Sequence, residues 1–236
     1  GIFALYSELI KIGKVTVVAP DSEKSSVGHG ITLAHPIWFK KVNRKGKFFG
    51  YGITGTPADC VKFATQVILK KKPDVVISGI NIGQNDGCSV FYSGTVAGAR
   101  EGALLGIPSM AVSLATFVNS NYSYAAKCGG RLTKFLANLK LTPGTFLNVN
   151  VPAIPEKKIK GIKVTTQGKI PIHGQFQKRT DPHLRNYYWM TGKMPKTKPT
   201  DITDTHFLHQ GYVTLVPIQN DSTDYQVYAK LKSVKI

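Results

Sequence analysis

Hydrophobic positions along the first 150 residues fall into two alternating periods. Ile2, Leu5, Leu9 and Ile10, with Phe3 and Tyr6, recur at helical spacing and predict an amphipathic helix ending near Gly13. The β-branched run Val15–Ala19, halted by Pro20-Asp21, predicts a short buried strand. Two alternating stretches, Pro36–Val42 and Phe48–Ile53, are joined by Asn43-Arg44-Lys45-Gly46 and predict a hairpin. Thr56 as N-cap and Pro57 at the first turn predict a helix through Leu69; further helices are expected at Thr95–Leu105 and Ser123–Leu136. Strands are expected at Asp74–Ser78, Ser109–Ser113 and Phe146–Val151. This alternation means βαβ units, right-handed crossovers and an α/β fold on a mostly parallel sheet. Ligands of such sheets bind beyond the carboxyl ends of the strands, which points at the loops after Ala19 and after Ser78.

Beyond Pro152 the pattern changes, dividing the chain into residues 1–152 and 153–236. Gly161–Thr166 reads as a strand, and residues 167–200 as an extended, polar, basic arm carrying Tyr187-Tyr188-Trp189. Order returns at Gly211–Pro217, before an amphipathic tail at Tyr225–Val234. No apolar run approaches the length of a membrane span, so none is expected. Cys60, Cys88 and Cys128 are scattered and form no CxxC pair; this argues against a disulfide framework and for a reducing cytoplasm. The net charge of +18 selects polyanions as partners: nucleotides, nucleic acid, polyphosphate or an anionic surface. Residues 156–198 hold eleven Lys/Arg against two acids, half of that excess. A lysine-dressed solvated surface would give the same count.

Two loops carry the candidate chemistry. One runs from Pro20 to Thr32 and includes Ser25; the other runs from Gly79 to Gly94 and includes Asn81. Ser93, Gly94 and Thr95 open a helix, where hydroxyls, a side-chain-free backbone and the positive end of the helix dipole suit an anion. The same hydroxyls equally suit plain helix caps. Asn81 offers an amide oxygen to a hard cation, or makes an Asx-turn. The six histidines, including His173, form no metal-binding motif, and His206 and His209 are expected at the surface. Cys60 reads as a buried structural thiol. Tyr187-Tyr188-Trp189 could stack on bases or anchor the arm on another subunit.

Taken together, these segments resemble the SurE family of metal-dependent phosphatases that act as 5′(3′)-nucleotidases. The resemblance rests on Val18-Ala19-Pro20-Asp21 with Ser25 and Ile31-Thr32, Gly55-Thr56-Pro57-Ala58-Asp59-Cys60-Val61, and Ser78-Gly79-Ile80-Asn81. It continues through Tyr92-Ser93-Gly94-Thr95-Val96-Ala97, Glu101-Gly102, Asn148-Val149-Asn150-Val151-Pro152, Tyr188-Trp189 and Gly211-Tyr212-Val213, in family order along essentially the whole chain. It implies a Rossmann-like three-layer core with a protruding β-hairpin arm and C-terminal elements that assemble a homodimer or homotetramer. It also implies one divalent cation per subunit, Mg²⁺ or Mn²⁺, held in part by Ser25 and Asn81. Ser93, Gly94 and Thr95 would cradle the phosphate of a nucleoside monophosphate or a short polyphosphate. The family's consecutive aspartates follow a first strand, and the resemblance locates that strand and its acidic loop before Gly1. A nucleic-acid-binding module and a catalytically degenerate homologue are the alternative expectations.

Overall fold

Thr56 begins the best-defined helix start in the chain. Its hydroxyl accepts the Asp59 N–H while the Asp59 carboxylate accepts the Thr56 N–H, a reciprocal capping box with Pro57 in the first turn. The computed structural model describes residues 1–118, 121–171, 174–192, 198 and 202–234. Ahead of this helix come α1 (Ile2–Leu9) and β1 (Val18–Pro20). They are followed by the hairpin β2 (Phe39–Arg44) and β3 (Lys47–Ile53). The hairpin turns on Lys45 (φ 50°) and Gly46 (φ 75°), the paired left-handed conformations that match strand twist. β3 runs between β2 and β1 in a separate three-stranded sheet, parallel to β1.

The helix itself, α2 (Pro57–Phe63), is shorter than its sequence suggests. Residues Ala64–Ile68 continue as one π-helical turn. Here the Thr65 hydroxyl bonds the carbonyls of Val61 and Lys62, competing with the regular ladder, and Val67 and Ile68 add β-branched crowding.

β4 (Val76–Ile82), α3 (Gly94–Leu104), β5 (Ser109–Ala115), α4 (Ser123–Ala137) and β6 (Thr145–Pro152) then make two parallel crossovers. The remaining elements are β7 (Ile162–Val164), β8 (Gly174–Thr180), β9 (Asn186–Gly192), α5 (Asp204–His209), β10 (Val213–Gln219) and α6 (Tyr225–Lys232). The main sheet has the order β4-β5-β6-β10-β7, with β10 antiparallel to β6 and parallel to β7. The segment beyond Pro152 thus extends the sheet.

Alternation along the strands explains the three layers. Met110, Val112 and Leu114 on β5, Leu147, Val149 and Val151 on β6, and Val213 and Leu215 on β10 face α1 and α4 in one apolar core. α1 comes close because α4 offers glycine there: a Cβ on Gly129 would lie 2.9 Å from the Leu5 Cδ1. On the other face Ala111, Phe146, Val216 and Ile218 pack with Val96, Ala99 and Ala103 of α3. That second face also carries Ser113, Asn148, Asn150 and Thr214, each fully buried. Register aligns Ser113, Asn150 and Thr214 across three neighbouring strands.

Two further departures from the pattern matter for function. β4 runs on through Gly79-Ile80-Asn81, where a loop was expected, so Asn81 stands on a strand end. Pairing with β5 shifts between Gly79 and Asn81, leaving Ile80 as the extra residue of a bulge. Gly79 has φ 133°, and a Cβ there would sit 2.3 Å from the Val112 carbonyl oxygen, so only glycine fits. Secondly, α5 lies in a segment left unassigned by the pattern. It packs on β10 and β6 and buries His206, contrary to the surface expectation, whereas His209 is exposed. The arm is a two-stranded hairpin of β8 and β9, as the resemblance implies; its parts at 172–173, 193–197 and 199–200, with His173, lie outside the described residues.

Candidate active site

Three segments meet at the carboxyl end of β4. The first is Asn81. Its Nδ2 donates to the carbonyls of Ile82 (2.9 Å) and Gly83 (2.8 Å), which holds the amide nitrogen against the backbone and turns Oδ1 the other way. The Oδ1 lies 3.4 Å from the Thr95 hydroxyl. The bulge at Ile80 sets this aim, as bulges beside functional sites do.

The second segment is the start of α3. The Ser93 hydroxyl oxygen accepts the Val96 N–H at 3.2 Å, so Ser93 is a helix cap. Its proton stays available for donation. Gly94 and Thr95 occupy the first turn, where backbone N–H groups lack intrahelical partners and the dipole is positive. Gly94 is buried and closely covered: a Cβ would lie 3.0 Å from Pro57 Cγ, 3.2 Å from Val27 Cγ2 and 3.3 Å from the Lys24 carbonyl oxygen.

Those contacts introduce the third segment, the loop after β1. Ser26 and Gly28 both have φ 56°. The Gly28 N–H donates to the Tyr92 carbonyl at 2.9 Å. The Thr56 hydroxyl donates to the Gly30 carbonyl at 2.7 Å, and the Thr32 N–H to the Asp59 carboxylate at 3.1 Å. Asp59 is 3% exposed. Burial alone would raise its pKa, but hydrogen bonds from Thr32 and Thr56 outweigh it and hold the carboxyl below its usual range. Ser25 sits exposed in this loop, donating its hydroxyl to Glu23 Oε1 at 2.7 Å. The structure therefore joins Asn81 to Thr95 directly and lays the Ser25 loop on Gly94. No hydrogen bond links Ser25 to Asn81, Ser93 or Thr95 among the described residues.

As a cation site this donor set is half of one. Asn81 Oδ1 and Ser25 Oγ are neutral oxygens suited to a hard cation. Among the described residues no cluster of three His, Cys, Asp or Glu side chains supplies the anionic remainder. Cys60, beside Asp59, is buried, and its thiol is pushed up to about 12, chiefly by burial and then by Asp59, so it is no nucleophile at neutral pH.

The pattern of the sequence assigned no role to the residues that support these loops. Asn85, next to the buried Asp86, donates its N–H to Asn150 Oδ1 at 2.7 Å and its Nδ2 to the Ser113 hydroxyl at 2.7 Å. Asn148 Nδ2 donates to the Asn85 carbonyl at 2.7 Å. The asparagines on β6 thus pin the loop that leads to Ser93. The available signal was Asn-x-Asn inside an otherwise apolar strand.

The pattern that defines survival protein SurE matches residues 1–173. A protein of Syntrophus aciditrophicus named 5′-nucleotidase SurE is 43% identical over 235 residues, covering 99% of this chain and 88% of that protein. The chain belongs to the SurE family. A second relative of that name, from Syntrophobacter fumaroxidans, is 44% identical over 96% of this chain and 91% of its own length. Among solved structures, the SurE protein from Aquifex aeolicus matches with a TM-score of 0.86 and 40% identity, covering 98% of this chain and 93% of that one. SurE membership and the observed sheet agree with the Rossmann-like reading of the sequence. No helix among the described residues is long and apolar enough to cross a membrane.

Proposed function

We propose that this protein is a 5′-nucleotidase that hydrolyses nucleoside monophosphates to nucleoside and phosphate. The observation that carries the reading is the meeting of Asn81 Oδ1 with the Thr95 hydroxyl at the carboxyl edge of parallel strands. It occurs in a chain whose relatives bear the name 5′-nucleotidase SurE. In this reading Ser93 and Thr95 donate hydroxyl hydrogens to the non-bridging phosphate oxygens. The free N–H groups beside Gly94 do the same, and the helix dipole adds to their pull. The depth of Gly94 against the Ser25 loop keeps the phosphoryl group close to the backbone.

Asn81 and Ser25 would hold one divalent cation per subunit, Mg²⁺ or Mn²⁺, which supplies Lewis acidity toward a phosphoryl oxygen when bound. A homodimer or homotetramer is supported by the apolar surface of β8, β9 and α6, and a reducing cytoplasm by three unbridged cysteines.

The test is phosphate release from a nucleoside 5′-monophosphate. EDTA should abolish it, and Mg²⁺ or Mn²⁺ should restore it. Full activity after exhaustive chelation overturns the cation, and no release from any nucleoside monophosphate overturns the activity.

A further inference from the structure

Glu101 is a charged side chain with no part in the reading above, and it is only 3% exposed. Its carboxylate oxygens are divided between two partners from different elements. Oε1 lies 2.8 Å from Lys62 Nζ on α2, and Oε2 lies 2.8 Å from His29 Nε2 in the loop after β1. An ionised carboxylate only accepts, so the His29 nitrogen is the donor. A buried carboxylate is costly unless its oxygens are bonded to donors or cations, and here each has one.

The position on α3 gives this cluster its meaning. Glu101 follows Gly94 by seven residues, two helical turns, and so lies on the same helix face. The loop carrying Ser25 runs along that face. At one end Lys24 and Val27 fill the space that a Cβ on Gly94 would need, and at the other His29 meets Glu101. Between these contacts the loop makes two left-handed steps, at Ser26 and Gly28, and is otherwise tied by the Gly28–Tyr92 bond.

We infer that Glu101 and His29 are positioning residues that clamp the Ser25 loop onto the phosphate cradle, with Lys62 balancing the buried charge. This rests on the nucleotidase reading. The clamp sets where Ser25 stands relative to Asn81, so loosening it degrades cation binding and turnover together, without touching either ligand.

The experiment uses the full-length protein with His29→Ala, His29→Gln and Asn81→Ala. Mn²⁺ affinity is read by electron paramagnetic resonance without substrate, and kcat and KM are measured at saturating metal. His29→Ala should weaken Mn²⁺ binding at least roughly fivefold and lower kcat about tenfold. His29→Gln, whose amide nitrogen can donate to Glu101, should recover most of both. Wild-type Mn²⁺ affinity and kcat in His29→Ala, beside a damaged Asn81→Ala, overturn the clamp alone. Equal damage in His29→Gln and His29→Ala also overturns it, since loss of ring packing then accounts for the effect. Wild-type turnover in Asn81→Ala overturns the site assignment, and the clamp with it.

Discussion

The Thr95 hydroxyl lies 3.4 Å from the Asn81 side-chain oxygen, joining a helix start to a strand end fourteen positions apart in the chain. Asn81 and Ser25 are surface-accessible polar side chains, so truncating either removes a donor without opening a cavity. Asn81→Ala and Ser25→Ala should each lower kcat at least roughly tenfold, about 1.4 kcal/mol of barrier. Circular dichroism should report an unchanged fold. Wild-type turnover in both variants at saturating metal would remove the two residues from the site.

A second expectation concerns acid. Asp59 accepts the N–H groups of Thr32 and Thr56, and these bonds hold its folded-state pKa below the ordinary carboxylate value against the opposing effect of burial. Its contribution to stability is therefore complete above the unfolded pKa of about 3.9 and drains away as pH falls through the lower folded value. Asp59→Asn should cost about 1–3 kcal/mol at pH 7, the scale of leaving a buried donor poorly matched. The gap from wild type should narrow below pH 4. Thermal melts from pH 7 to pH 3 check this, and a constant gap across that range would contradict it.

The third concerns assembly. On β8 and β9, Phe176 is 70% exposed, Trp189 56% and Met190 71%, and α6 leaves Tyr225, Tyr228 and Leu231 open as well. Each large apolar side chain gains roughly 1.5–3 kcal/mol on burial, so a second copy of the chain would be favoured on these surfaces. The intact protein should scatter light as a dimer or tetramer at micromolar concentration. Deleting residues 174–192 should yield monomers or aggregate. A well-behaved monomer of the intact protein would turn attention to the basic residues Lys178 and Arg179 as nucleic-acid contacts.

Much of this was legible in the residues, and what was hidden has physical reasons. Helices α1 and α4 declare themselves by apolar positions at helical spacing, and strands β5 and β6 by short apolar runs that are buried on both faces. The Thr56 cap was readable because capping is local. α5 was not: six residues give too few turns to establish a period, and it is held by packing on β10 and β6, by its Thr203 cap and by the buried Asp204 carboxylate that accepts the Gly87 and Gly168 N–H groups. The end of β4 is hidden in the sequence because glycine and asparagine speak for a loop. A Gly79 conformation that only glycine tolerates lets the strand continue past them. Ser93, Gly94, Thr95 and Asn81 stood out by residue type and place. The joining of His29, Lys62 and Glu101 could not be read, because they are far apart in the chain and only tertiary packing unites them.

The two faces of β6 bear unlike obligations, and this bears on how the chain can change. Leu147, Val149 and Val151 answer to volume alone, so an exchange among aliphatic residues there keeps what matters. Asn148 and Asn150 answer to hydrogen-bond geometry, and an aliphatic residue of the same size would strand the Asn85 backbone it serves. Tolerance along this strand should rise and fall with every residue, a saw-tooth whose two edges record different selective pressures within one continuous stretch of chain.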